Sequence, residues 1–147
     1  IDKLVSEGYN FKGLFMGKGP QENDIKLQKG CVIHDFVPYH ELTPFYHLAD
    51  IGVWPKQEST SMLDAAACGL PIVVSELVQA TERYEGNGLT YKENNVDDLS
   101  RVLLLLLDET FRKQLSEYGI HKIKSDFSWD EIARKRAKVY ATYLKHE

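Results

Sequence analysis

Short apolar runs alternate along the chain with longer stretches in which apolar residues recur at helical spacing. Runs of strand length cover Phe11 to Gly17, Cys31 to Val37, Ile51 to Pro55, Pro71 to Glu76 and Leu89 to Lys92. Helical patterns cover Glu41 to Leu48, Ser61 to Cys68, Asn95 to Leu107, Glu109 to Lys124 and Trp129 to Lys145, and the opening "IDKLVSEGYN" reads as a helix already under way. Strands separated by helices predict parallel pairing, because a parallel strand needs a long crossover connection. "VIHDF" and "IVVS" lack apolar/polar alternation, as befits strands covered on both faces. Right-handed crossovers then give an α/β fold of three layers, α/β/α, around a doubly wound parallel sheet.

Punctuation agrees with these elements. Asn94 and Asn95, with Asp97 and Asp98, supply cap chemistry before Leu99. Ser128 with Asp130 and Glu131 opens the last helix, and Gly69 followed by Pro71 stops the alanine-rich one. The penta-leucine Leu103 to Leu107 is apolar around its whole circumference, which predicts a core helix or one shared with a second domain. An α/β domain ordinarily starts on a strand. The opening helix therefore predicts a piece of a longer protein, one lacking its first strand and a preceding domain.

Composition narrows the field. The 147 residues, 43% hydrophobic and 27% charged, suit one domain with a sizeable core. A net charge of −4 gives no global attraction to nucleic acid or to anionic lipid. Cys31 and Cys68 form no CxxC and adjoin apolar runs, so buried free thiols of a reducing, cytoplasmic setting are expected. No signal-peptide pattern is present, and the longest apolar run, Val102 to Leu107, is far too short to span a bilayer. His34, His40 and His47 lack metal-ligand spacing, so no metal is expected.

In doubly wound sheets ligands gather outside the carboxyl ends of the strands. Three such ends are chemically unusual. In "MGKGP", Gly17 and Gly19 allow close backbone approach and Lys18 can face an anion, but a plain tight turn explains the same residues. Position 22 is Glu, which excludes the dinucleotide fingerprint, and the P-loop spacing is absent. In "HDFVPYHEL", the chain turns at Pro38 after Phe36 and Val37, offering a backbone edge and an apolar wall to a planar base. The third end follows Trp54-Pro55, where Lys56, Glu58, Ser59, Thr60 and Ser61 precede a helix from about Met62. Free N–H groups at a helix start bind phosphate, and Asp64, one turn in, can accept from a sugar hydroxyl. The competing explanation is a capping box, Ser61-x-x-Asp64, which would occupy both side chains in ending the helix.

At this third stretch "LDAAACGLPIVVS" resembles the "LEAMACGxPVV" segment of retaining glycosyltransferases of the GT-B fold, family 4, the glycosyl transferases group 1. "LFMGKGP" is similar to that family's "VGDGP" strand end. "HDFVPYHELTPFYHLADIGVWP" is similar to "GFVPxEELPxLYxxADVFVxPS", and "GNGLTYKENNVDDLSRVLLLLLDE" to "ENGLLVPPxDPEALAEAIxxLLxD". Four pieces in the right order span nearly the whole chain. The resemblance implies the Rossmann-like, nucleotide-sugar-binding C-terminal half of a two-domain hexosyltransferase. The N-terminal acceptor domain would be missing, and this fragment alone inactive.

The resemblance further implies metal-independent, retaining transfer from a nucleotide-diphosphate sugar, UDP-sugar favoured, to a growing glycan or lipid-linked saccharide. Asp64 stands where the family has the second Glu of its E-x7-E motif, on the donor ribose. The first Glu would fall at Lys56, a departure, and Glu58 is the nearest carboxylate for the sugar ring. Ser59, Thr60 and Ser61 replace the glycine-rich middle that binds the diphosphate, and Phe36 and Val37 match the base-contacting position. Gly17, Lys18 and Gly19, in the strand end similar to "VGDGP", are implied to bind the donor as well. No cofactor, metal or nucleic acid is expected. Arg134, Lys135, Arg136 and Lys138 leave room for peripheral membrane contact, although Ile132, Ala137, Tyr140 and Leu144 suffice to pack that helix on the sheet. Two alternatives are a GT-B sugar-nucleotide epimerase and a non-catalytic flavodoxin-like regulatory domain.

Overall fold

A computed structural model describes residues 1–143 and shows strands and helices in the expected alternation. Strands β1 (Gly13–Met16), β2 (Cys31–His34), β3 (Gly52–Trp54), β4 (Ile72–Ser75) and β5 (Gly88–Tyr91) are shorter than the apolar runs that announce them. Helices α1 (Asp2–Ser6), α2 (Glu22–Lys26), α3 (Thr43–Leu48), α4 (Ser61–Ala67), α5 (Val96–Leu105), α6 (Glu109–Lys122) and α7 (Trp129–Tyr143) intervene. Every strand pairing is parallel, in two ladders, β1–β2 and β3–β4–β5. Among the described residues β1, β2, β3 and β5 each keep one edge without a ladder partner. Leu14, Phe15, Met16 and Val53 are correspondingly exposed.

β4 shows why the fold has three layers. All four of its residues are buried, and a strand turns alternate side chains to opposite faces. Val73 joins Leu4 of α1, Tyr91 of β5 and Val102, Leu103 and Leu106 at α5. Ile72 and Val74 join Met62, Ala65 and Ala66 of α4, with Tyr46 and Trp54 at the margin. Phe11 and Ile51, leading into β1 and β3, pack on the first of these clusters, so both ladders share one core.

Local chemistry sets the ends of the elements. Asn95 caps α5, its side chain accepting from Asp98 N–H at 2.9 Å. Asn95→Ala is expected to cost about 1 kcal/mol, read as a fall of ~3 °C in a thermal melt. α4 ends with Gly69 at φ +86°, Gly69 N–H bonding Ala66 C=O and Leu70 N–H bonding Ala65 C=O, the paired geometry of a glycine-terminated helix. Ser128 accepts from Glu131 N–H at the start of α7, as its sequence requires.

Three expectations need correction. Both cysteines are free but only half-buried. Leu103 and Leu106 are buried, while Leu105 and Leu107 stay exposed, because α5 turns only one face to the core. Among the described residues α7 buries no side chain: Ile132 is half-buried, and Ala137 and Tyr140 are exposed. α7 follows the π-helical turn Ile123–Phe127 and packs against it, and Trp129 is 85% and Tyr143 74% exposed. Leu144 and Lys145 of the predicted last helix lie outside the described residues. No helix among the described residues is long and apolar enough to cross a membrane.

Candidate functional site

The polar junction between β3 and α4 is held from behind. Tyr91, buried at the end of β5, donates its hydroxyl to the Pro55 carbonyl at 2.7 Å. Beyond Pro55 the N–H groups of residues 56–60 donate to no described residue. Such a row of unpaired backbone donors is exceptional inside a fold and fits a solvated or ligand-binding surface. α4 follows with Thr60 as its N-cap and no side-chain cap.

The capping box is therefore not formed. The turn closes early, with Met62 N–H on Ser59 C=O and Leu63 N–H on Thr60 C=O, so Ser61 lies within the helix rather than at its cap. Ser61 Oγ instead accepts from Trp54 Nε1 at 3.2 Å and shares a 2.7 Å hydrogen bond with Ser59 Oγ. Ser59 Oγ also accepts from Ser61 N–H at 3.2 Å. The two serines thus keep one uncommitted hydroxyl proton between them, and the loop is pinned to the indole of β3. Trp54 was not singled out from sequence as part of this site.

Asp64 is free of any capping duty. Its Oδ1 accepts from the Tyr39 hydroxyl at 3.0 Å. That bond raises the Tyr39 phenol above its ordinary value, with the Asp64 charge adding to it. Burial first, and then the Asp64 charge, raise both the Tyr46 phenol and the Cys68 thiol. Glu58 is exposed in the junction, as is Lys56, and neither forms an ion pair among the described residues.

The other strand ends are arranged differently. Gly17 adopts φ +105° and its N–H donates to His34 C=O at 2.9 Å, closing the β1–β2 ladder. Lys18 Nζ lies 3.0 Å from Asp35 Oδ1, which raises the ammonium and holds the carboxyl below its usual range. Lys18 thus carries an exposed ion-pair partner rather than an open charge, and Gly19 stands exposed beside it. Phe36 is 78% exposed, whereas Val37 beside it is buried. No hydrogen bond or ion pair joins residues 17–19 to residues 58–64 among the described residues; the loop after β2 is joined to α4 only through Tyr39.

One carboxyl-end cluster escaped the sequence reading. Ser75, buried at the end of β4, donates to the Glu93 carboxylate at 2.7 Å and accepts from Leu77 N–H at 3.2 Å. The rule that flagged three strand ends applies equally to these two. Among the described residues no group of three His, Cys, Asp or Glu side chains is placed to hold a metal ion.

The family described as Glycosyl transferases group 1 matches residues 1–109. An uncharacterized glycosyltransferase of Methanocaldococcus jannaschii is 29% identical, over 92% of this chain and 38% of its own length. The O-antigen chain mannosyltransferase B of Escherichia coli is 28% identical, over 71% of this chain and 28% of its own length. The chain thus spans well under half of these relatives. Among solved structures, a sucrose-phosphate synthase from Thermosynechococcus elongatus superposes with a TM-score of 0.78 at 19% identity, over 99% of this chain and 42% of the other.

Proposed function

We propose, from the premise that the chain belongs to the glycosyl transferases group 1 family, that its polar junction binds the diphosphate of a nucleotide-sugar donor. UDP-sugar is the favoured donor, and the transfer is retaining and metal-independent. The observation that carries this reading is the row of unpaired N–H groups at residues 56–60, running into an uncapped α4 with Asp64 one turn beyond. When the bond between the sugar and the diphosphate breaks, its electron pair leaves with the phosphate oxygen. Fixed amide donors aimed at that charge stabilise it without a cation, each typically by about 3 kcal/mol. The acceptor oxygen bonds to the sugar from the face the diphosphate leaves, and its proton passes to the departing phosphate.

In this reading Ser59, Thr60 and Ser61 hold the diphosphate chiefly through backbone, and Asp64 accepts from the ribose. Glu58 faces the sugar ring, and the exposed Phe36, with Val37 beneath it, borders the base. Gly17, Lys18 and Gly19 flank the donor from the other ladder. The unpaired edges of β1 and β3 support a further strand between the two ladders. With β2–β1 on one side and β3–β4–β5 on the other, such a strand completes the usual dinucleotide-fold order. The uncovered face of α7 supports contact with an acceptor domain, and its basic residues suit peripheral membrane contact by the whole enzyme. Turnover onto a glycan or lipid-linked saccharide then needs that domain. The comparisons lend no support to the epimerase or regulatory alternatives.

Calorimetric titration of the chain with UDP, GDP and ADP tests the reading. Saturable binding of one of them, UDP first, is expected in EDTA and with unchanged affinity after Mg²⁺ is added. Absence of binding by all three, or binding only with Mg²⁺, counts against it.

A further inference from the structure

Asp64 and Tyr39 come from different crossovers of the fold. Tyr39 opens a short 3₁₀ turn, Tyr39–Glu41, immediately after Pro38, whose fixed φ of −57° directs the chain away from β2. Its side chain reaches α4, where the hydroxyl finds Asp64 Oδ1 at 3.0 Å. Tyr39 is 69% exposed, so packing does not dictate this placement. The hydrogen bond is the single polar contact of its hydroxyl among the described residues. Asp64 Oδ2 has no hydrogen-bond partner among them.

A carboxylate anchored through one oxygen presents the other in a fixed direction. Unanchored, an aspartate on a helix surface turns about χ2 through a broad range, and a ligand hydroxyl must arrest that rotation. Anchoring it beforehand removes this entropic cost from binding.

We propose that Tyr39 is a positioning residue: by holding Oδ1 it aims Oδ2 at the mouth of the junction, where Oδ2 accepts from one ribose hydroxyl of the bound nucleotide. The inference rests on the nucleotide-sugar reading above. Its signature is selectivity for the ribose hydroxyls, which a merely structural tyrosine would not control.

The test is calorimetry of wild type, Tyr39→Phe, Asp64→Asn and the double variant, with UDP, GDP and ADP and their 2′,3′-dideoxy forms. Tyr39→Phe is expected to weaken the ribonucleotide that binds about fivefold and to leave its dideoxy form unchanged. In the Asp64→Asn background it should have no further effect, and the melting temperature should not move. Equal weakening of both forms, no weakening of either, or an added loss on top of Asp64→Asn overturns the inference while the nucleotide-sugar reading stands. Failure of wild type to bind any of the nucleotides defeats that reading and this inference together.

Discussion

Asp64→Ala is expected to lower nucleoside diphosphate affinity by about 10- to 100-fold, the range for a hydrogen bond to a charged group. The melting temperature should change by no more than ~3 °C. The asymmetry follows from where Asp64's contacts go. It caps nothing: α4 begins at Thr60 and has no side-chain cap to lose. Its one side-chain hydrogen bond is to an exposed tyrosine and contributes little to stability. Alanine also favours the helix, which offsets part of the lost bond. If Asp64 were instead a capping residue, the variant would melt early and bind nucleotide as wild type does. Calorimetry and thermal denaturation on the same samples separate the outcomes. Lost stability with retained affinity would remove Asp64 from the site.

The parts of this molecule that could be read from sequence are those whose cause is contiguous. "IVVS" announced a strand covered on both faces, and its four residues divide between two core clusters. Gly69 announced the end of α4, and Asn95 the start of α5, because a glycine at positive φ and a side-chain cap act within one turn. α2 was silent for the same reason: "ENDIK" holds a single apolar residue, too few to show a period. The polar junction was legible because strand, loop and helix follow one another. Its controlling contacts were not. Tyr39 and Asp64 are 25 residues apart, and only the crossover through α3 and β3 brings them together. The capping box could stand as a competing explanation because Ser61-x-x-Asp64 fixes the residue types but not the register, and the helix begins one residue early. α7 misled. Its apolar spacing is that of an amphipathic helix, but spacing says nothing of whether a partner is in reach.

Lys122→Met is expected to destabilise the chain by about 3 kcal/mol, a fall of ~10 °C in melting temperature. Lys122 is only 9% exposed at the end of α6. Its ammonium donates to the Glu85 carbonyl at 2.9 Å and to Asn87 Oδ1. Asn87 is fully buried, and its Nδ2 has no partner among the described residues, so this polar cluster has little slack. Methionine fits the stem but leaves the buried Asn87 Oδ1 unpaired, at about 1–3 kcal/mol, and removes the part-buried bond to the Glu85 carbonyl as well. Replacing Asn87 with leucine in the Lys122→Met background removes one orphaned acceptor and the unpaired Nδ2. The double variant should therefore recover part of the loss, a coupling that independent sites would not show. Burial also pushes the Lys122 ammonium below the ordinary lysine value of 10.5, against the weaker upward pull of Glu85 and its acidic neighbours. Between the lowered folded value and 10.5 the unfolded chain binds more protons than the folded one, so this group's contribution to stability rises with pH across that window and is flat below it. Lys122→Met should flatten that part of the stability profile. The cluster also bears on the site, since Gly119, one turn earlier on α6, lies against Asn87 and Ala66 of α4. Nucleotide affinity measured well below the transition should nevertheless be unchanged, because Lys122 touches neither the junction nor Asp64. A variant that melts like wild type would show that the buried ammonium does not tie α6 to the turn before β5.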